Sequence, residues 1–330
     1  MPDRPLRVLH CPVNTAGIPW ANSLALRRRG VVSDLLVFNR YKLHPEADRS
    51  LDLGSGFLRR QARQWRAFAE VAREYDVFHF YSSVTLVPSS LQFRLLHALG
   101  KRGIYHYLGS DIRRKTREQL AYGLRADAEI VGSYDAIRWV PHADVVLPGI
   151  EVSKIEPAIP DETRKRPVIL HAPSSRRRKG TEVVIEACAG LDADLKLVEG
   201  LTHDEAFEQY RDADIVVDQL NAGWYGVFAI ECLALGKPVV TFLHDEAVRR
   251  TEEAYGVKVP LVGTTKETLR ESLRPLVEDA ALRRRTGEAS RAYAEALHDV
   301  DAIAGQLVGL YERVLAAPPR KVREADLTQL

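Results

Sequence analysis

No run of about 18 apolar residues occurs anywhere in this 330-residue chain, and its opening MPDRPLRVLH holds no apolar stretch long enough for a signal peptide. The chain is therefore expected neither to span a membrane nor to be exported by that route. Cysteine is scarce: Cys11, Cys188 and Cys232 lie far apart, each inside an apolar pattern, which excludes a disulfide framework and a zinc site and suits buried thiols of a cytoplasmic protein. Charge of one sign is missing too, with 47 Lys and Arg against 45 Asp and Glu and a formal net charge of +2. Basic residues cluster only locally, in RRKTR, SSRRRKG and LRRR, and are not interleaved with aromatics on one face, so nucleic acid is not an expected partner. Neither first strand of the two alternating series described below is followed by G-x-G-x-x-G, which disfavours a dinucleotide cofactor. No spaced His/Asp cluster suggests a metal. Arginine outnumbers lysine and alanine is abundant, a bias expected of a GC-rich bacterial genome.

What is present is alternation. In the first half, LRVLH, DLLVF, YDVFHFY, IYHYLG and ADVVLPG read as strands, separated by the helical patterns PWANSLALRRRG, FLRRQARQWRAFAEVAREY and SLQFRLLHALGKRG. Strands alternating with crossover helices mean a parallel, doubly wound α/β sheet. PGIEVSKIEPAIPDETRKRP then breaks the pattern with proline and charge, as an exposed connector would. A second series follows, from PVILHAP through DLKLVEG and DIVVDQL to PVVTFL, and the tail from Lys266 reads as helical. The expected organisation is an N-terminal Rossmann-like domain over 1–150, a linker over 151–166, a second Rossmann-like domain over 167–310 and a helix end and tail over 311–330. Two such α/β domains are expected to face a central cleft at the carboxyl ends of their strands, where folds of this kind bind ligands.

Two strand-to-helix turns of the second half carry polar chemistry. In ADIVVDQLNAGWYGVFAIECLALGKPVV, the unpaired N–H groups of the turn Trp224–Val227 favour an anion, and Gly223 and Gly226 permit close backbone approach. Glu231 lies about one turn inside the helix. It is placed to accept hydrogen bonds from two adjacent hydroxyls such as those of ribose, or equally to sit as a helix N-terminal acid or pair with an arginine. In VILHAPSSRRRKGTEVV, the turn holds Ser174, Ser175, Arg176, Arg177, Arg178 and Lys179, surroundings that suit a diphosphate or, more blandly, a solvated basic turn.

The text QLNAGWYGVFAIECLALGKPVV with RRRKG, YHYLGSDIRR and ADVVLPGIE resembles the nucleotide-sugar-dependent retaining glycosyltransferases of GT-B fold that carry a Glu-x7-Glu motif. The match runs in order over nearly the whole chain. It implies an acceptor domain followed by a donor domain, a nucleoside diphosphate leaving group and transfer with retention to a hydroxyl acceptor. Lys179 matches the family's Lys-Gly pair, and one of Arg176 to Arg178 supplies the family's arginine charge. Glu231 takes the ribose-binding position, whereas the first motif glutamate falls on Gly223. The family's strand-end histidine falls on Leu108, which makes His106, two residues earlier on the same strand face, and Asp111 the candidates for contacting sugar or acceptor. His106 otherwise reads as a core histidine, and Asp111 as a cap for IRRKTREQL.

Asp218 at a strand end is placed to take over sugar contacts, or is a hydrogen-bonded turn acid. Trp224 and Tyr225 either stack on a sugar or pack against the first domain. The resemblance puts Gly17, in the loop NTAGIPW, near donor phosphate and acceptor, and base recognition near VEGLTHDE, which contains Gly200. With Lys179, the arginines and the turn amides neutralising the diphosphate, no metal and no cofactor beyond the nucleotide-sugar co-substrate are expected. The acceptor is a hydroxyl of a glycan, a lipid-linked compound or a small molecule.

The basic stripe over 57–72 places Leu58, Ala62, Trp65, Ala69 and Ala72 beside Arg59, Arg60, Arg63 and Arg66, and predicts either the buried side of a surface helix or peripheral contact at the inner membrane face. Two alternatives to a transferase follow from the same residues. One is a nucleotide-sugar epimerase; the other is a nucleotide-sugar-binding or regulatory protein that lost the chemistry with Gly223 and Leu108.

Overall fold

The computed structural model describes residues 4–320, which divide into two compact units, 4–149 with the stretch from Val300, and Ile150–Asp299. Among the described residues no helix is long and apolar enough to cross a membrane.

The first unit is built on β1 (Arg7–Cys11), α1 (Ile18–Arg28), β2 (Val32–Val37), β3 (Arg49–Ser50), α2 (Phe57–Val71), β4 (Val77–Tyr81), α3 (Ser89–Ala98), β5 (Arg102–Tyr107), α4 (Arg117–Leu120), β6 (Ala128–Val131) and β7 (Asp144–Val145). The strands form one parallel sheet in the order β3-β2-β1-β4-β5-β6-β7. Every residue of β4, VFHFY, is buried, and the pleat sends Phe78 and Phe80 to one face and Val77, His79 and Tyr81 to the other. On the first face Phe78 and Phe80 pack with Phe68 and Val71 of α2 and Phe93 and Leu96 of α3. Burying each such side chain contributes about 1.5–3 kcal/mol. The stripe on α2 differs from the sequence expectation: its buried residues are Gln64, Ala67, Phe68 and Val71, while Leu58, Ala62 and Ala69 are exposed. The aromatic core under the sheet selects Phe68, and the first turn, Phe57–Arg60, is exposed throughout.

The second unit contains β8 (Val168–His171), α5 (Arg176–Lys179), α6 (Thr181–Cys188), β9 (Asp194–Leu197), α7 (His203–Arg211), β10 (Ile215–Val217), α8 (Val227–Ala234), β11 (Val239–Thr241), α9 (Asp245–Tyr255), β12 (Val262–Gly263), α10 (Leu269–Glu278) and α11 (Ala280–Leu297). Its parallel sheet runs β12-β11-β10-β8-β9 over a core of Ile169, Val184, Ile215, Val217, Val240, Leu269 and Leu273. Helix α8, VFAIECLA, is apolar apart from Glu231, and its residues from Ala229 to Ala234 are all buried. One neighbour is α11, and it comes close: a Cβ on Gly287 would lie 2.3 Å from the Gly236 carbonyl oxygen. The expected connector over 151–166 is largely exposed, yet its backbone is pinned to this unit. Ala158 N–H donates to the Leu235 carbonyl at 2.8 Å, and Arg291 donates to the Ile155 and Ala234 carbonyls at 2.7 Å each.

The helical tail divides between the units. Helix α12 (Val300–Ala316) belongs with the first, a division the sequence placed at 310. Arg102 of β5 donates to the carbonyls of Val314 at 3.1 Å and Ala317 at 2.8 Å, and the Tyr311 hydroxyl meets His79 Nδ1 at 2.7 Å. Thus α12 covers the sheet face that carries His79 and Tyr81. The tail over 321–330 lies outside the described residues.

Candidate functional site

Strands β8 and β10 are parallel neighbours, with Ile169 opposite Ile215 and Leu170 opposite Val216, so the loops that follow them leave the same sheet edge side by side. The first loop passes through Ser174 and Ser175 into the single turn α5 and on, through Gly180, to α6. The second runs from Asp218 to Gly226, ahead of α8. They are tied together: Lys179 Nζ lies 2.6 Å from Asp218 Oδ1, Leu220 N–H donates to the Lys179 carbonyl at 3.1 Å, and Asn221 Nδ2 donates to the Arg178 carbonyl at 3.0 Å. Asp218 is fully buried, and its second oxygen, Oδ2, accepts the Gly226 N–H at 2.9 Å. One carboxylate therefore fixes both the lysine and the residue that opens α8. The next amides, Val227 to Ala229, are those an α-helix leaves without an internal partner.

Two buried groups not singled out from the sequence support these loops. His171 at the end of β8 meets the Val217 carbonyl at 2.8 Å through Nδ1 and Thr181 Oγ1 at 2.9 Å through Nε2, and burial lowers its pKa. Gln219 holds the second loop from inside: its Oε1 accepts N–H groups of Asn221 at 3.0 Å and Ala222 at 2.6 Å, while its Nε2 donates to the Trp224 carbonyl. The only trace of either in the sequence is a polar residue next to an apolar strand.

Of the basic run, Arg176 is committed. Its guanidinium grips Glu199 through Nε and Nη2, both at 3.0 Å, and reaches Glu182 at 3.0 Å, so it brings little uncompensated charge to the turn. Arg177 and Arg178 are exposed, and neither pairs with a carboxylate among the described residues. Ser174 is exposed and Ser175 half-buried, in front of α5.

Glu231 sits in the second turn of α8 and is nearly buried. Its Oε1 lies 2.7 Å from Nε2 of His203, the first residue of α7, so the partner is an imidazole where the sequence suggested an arginine. The Glu231 carboxylate pushes the His203 pKa up to about 9, which makes this an ion pair at neutral pH. Gly200 lies just before α7 in an exposed loop at the same sheet edge.

Trp224 and Tyr225 are buried and stacked on each other with ring centroids 4.7 Å apart. The Tyr225 hydroxyl meets Tyr293 at 2.8 Å and His298 Nε2 at 3.0 Å, so these rings pack within their own unit. Their side chains are not the sugar-stacking faces the sequence allowed. Gly223 has φ +72°, and a Cβ there would lie 2.2 Å from Cδ2 of His244.

In the first unit His106 is not available to a substrate. It is buried in a network on the α12 side of the sheet, with His79 Nε2 to His106 Nδ1 at 3.1 Å, His10 Nδ1 to the Tyr81 hydroxyl at 2.9 Å and Asn22 Nδ2 to the same hydroxyl at 3.1 Å. Burial lowers the pKa of His10 and of His106 to about 3 and that of His79 well below its usual value, so all three are neutral at pH 7. Asp111 accepts the Ser83 hydroxyl at 2.9 Å and the Leu108 N–H at 3.0 Å, and burial raises its pKa. It braces the turn after β5, while the cap of α4 falls to Thr116. Gly17, with φ +70°, opens α1 after β1.

No model of a protein family matches the chain, and no curated protein sequence does. Solved structures do. A sucrose-phosphate synthase from Thermosynechococcus elongatus is 17% identical and superposes with a TM-score of 0.67 over 95% of this chain and 100% of that one. HepE from Anabaena, solved with UDP and glucose, is 14% identical with a TM-score of 0.64 over 93% and 100% of the two chains. The catalytic domain of starch synthase IV from Arabidopsis thaliana, solved with ADP and acarbose, is 11% identical with a TM-score of 0.66 over 95% and 100%. At these identities the likeness is one of architecture: two Rossmann-like α/β domains, each on a parallel sheet, in the GT-B fold.

Proposed function

We propose that the chain is a glycosyltransferase that moves a sugar from a nucleoside diphosphate sugar to a hydroxyl acceptor, with retention of anomeric configuration. The observation that carries this reading is the Lys179–Asp218–Gly226 relay at the strand edge of the second unit. It holds the Lys179 ammonium, whose charge Asp218 partly offsets, and the start of α8 together, beside Arg177 and Arg178, which pair with no carboxylate among the described residues. Such a cradle meets the charge that builds on a diphosphate as the sugar departs, and positive charge fixed in advance is the main catalytic contribution open to these residues. In this reading no metal is needed: Lys179, Arg178 and the first amides of α8 face the two phosphates, and the Ser174 and Ser175 hydroxyls donate to them. Glu231 accepts from ribose with the oxygen that His203 does not hold, and the loop containing Gly200 lies against the base. Gly17 and Asp111, at the same edge of the first sheet, are assigned to the acceptor side.

The acceptor is reached at a membrane surface in this proposal. Phe57 and Leu58 are 74% and 80% exposed at the start of α2, next to Arg59 and Arg60, the arrangement of an interfacial anchor on anionic lipid at the cytoplasmic face. Cosedimentation with liposomes that does not depend on anionic lipid removes this part of the reading.

The test of the activity is incubation with UDP-, GDP- and dTDP-sugars, reading nucleoside diphosphate release with and without alcohol acceptors. Release that rises with acceptor supports transfer. Binding of nucleotide with no turnover favours a protein that has lost the chemistry, and interconversion of the donor sugar an epimerase.

A further inference from the structure

The strained backbone of this protein is gathered at the carboxyl edge of the first sheet. Among the described residues five that are not glycine have a left-handed φ: Ala16 at +55°, Asp52 at +46°, Ser82 at +57°, Ser83 at +60° and Arg114 at +70°. All five stand in loops that leave this one edge, Ala16 after β1, Asp52 after β3, the two serines after β4 and Arg114 after β5. Such backbone is unfavourable for any residue with a Cβ, and its clustering marks sites where a side chain is needed in place.

The serine pair shows what is needed. Ser82 and Ser83 are the central residues of a turn in which Val84 N–H donates to the Tyr81 carbonyl at 3.3 Å. With φ positive at both central positions, a turn favours Gly, Asn and Asp. Ser83 has a structural return for its conformation, since its hydroxyl donates to Asp111 at 2.9 Å. The Ser82 N–H donates to the His106 carbonyl at 3.2 Å, a bond that glycine would keep. Its hydroxyl meets, among the described residues, only that of Thr15, 3.3 Å away in the loop after β1. Thr15 is exposed and Ser82 half-buried, so this long contact adds little to the fold. Strands β1 and β4 are parallel neighbours, with His10 opposite His79, and their loops carry the two hydroxyls out side by side. Two adjacent hydroxyls, each able to donate and to accept, match a polyol better than they match an anion.

We infer that the Thr15 and Ser82 hydroxyls bind a polyhydroxylated acceptor, such as a sugar ring, through one of its hydroxyls. This rests on the transferase reading, which places the acceptor at this edge. The experiment is thermal melting and steady-state kinetics of wild type, Ser82→Gly and Thr15→Val. Nucleoside diphosphate release is read from the nucleotide sugar that wild type uses, with glucose, mannose, myo-inositol and methyl α-glucoside as acceptor probes. Ser82→Gly melts at or above the wild-type temperature, because the turn accepts glycine freely, while KM for the polyol rises about tenfold, the scale of a lost hydrogen bond, and KM for the donor stays within about twofold. Thr15→Val, which leaves the turn untouched, raises the same KM at unchanged melting temperature. A lower melting temperature for Ser82→Gly assigns the serine to the turn and overturns the inference. So does a polyol KM within about twofold of wild type in both variants, or release from wild type that no polyol stimulates, and in each case the nucleotide site stands. Failure of wild type to bind or turn over any nucleotide sugar instead removes the proposed function, and this inference with it.

Discussion

Asp218 is the fully buried partner of Lys179: its Oδ1 stands 2.6 Å from the ammonium, which keeps about a fifth of its side chain exposed. The acid is therefore the fixed member and the lysine the member that reaches out. Replacing the lysine strands a buried carboxylate, whereas replacing the acid by its amide keeps the shape and frees the lysine. Lys179→Met is expected to destabilise the fold by about 3 kcal/mol, near the lower end for breaking a buried pair. Asp218→Asn is expected to cost less. Denaturant titration of both variants checks the order.

The same pair predicts a split in kinetics. Removing the negative charge of Asp218 beside an anion site leaves diphosphate affinity equal or tighter, while the loosened ammonium no longer meets the leaving group in place. Asp218→Asn should thus lower kcat with KM for the donor unchanged or reduced. A rise in KM at constant kcat contradicts the positioning role.

Glu231 and His203 give a pH dependence whose sign is fixed by the raised pKa of the imidazole. The unfolded histidine titrates near 6.5, so the pair's contribution is fully present below about pH 6.5 and is lost as pH rises through about 9. Melting temperature should decline over that window in wild type and decline less in His203→Gln. Glu231→Ala should weaken nucleotide affinity by about 1.5–3 kcal/mol, as for hydrogen bonds to a charged group. Unchanged affinity removes Glu231 from the binding site.

The buried histidines of the first unit act in the opposite direction. His10, His79 and His106 have folded pKa values below the unfolded one, so the unfolded chain binds more protons under pH 6.5 and stability falls as pH drops from there towards about 3. Tyr311→Phe leaves His79 Nδ1 buried without its 2.7 Å partner and should cost about 1–3 kcal/mol at neutral pH. Circular dichroism melts from pH 7 to pH 4 measure both effects.

Gly223 is where the motif of the resembled family has glutamate, and the structure opposes restoring it. Gly223→Glu places a side chain into His244 and a non-glycine residue at φ +72°. It is expected to destabilise by more than about 1 kcal/mol. Gain of donor affinity without loss of stability contradicts this packing.

The alternation of strands and helices was legible because the central strands β1, β4, β5, β8 and β10 are largely buried and most of the helices between them carry a polar face, and the two loops of the site were legible as breaks in that rhythm. What was not legible depends on distant partners. Arg176 looks like its neighbours Arg177 and Arg178 until Glu199, 23 residues on, is seen to grip it. His106 reads either as a contact for sugar or acceptor or as a core histidine until His79 and Tyr311, 27 and 205 positions away, are placed. Local pattern also cannot say which core a terminal helix covers, because α11 and α12 carry the same kind of apolar stripe.

The path of the chain governs how the protein is to be dissected. Ile150 and Asp299 pair in a β-bridge, and on the other side of those junctions Gly149 packs so tightly on Val300 that a Cβ would lie 2.9 Å from its Cα. The second unit is thus an insertion whose two ends emerge next to each other, and a fragment cut at 150 and 299 keeps all its own strands. A fragment ending at 149 keeps its strands as well, yet it forfeits the helix that roofs the histidine-bearing side of its sheet. The first unit is complete only if Gly149 is spliced to Val300.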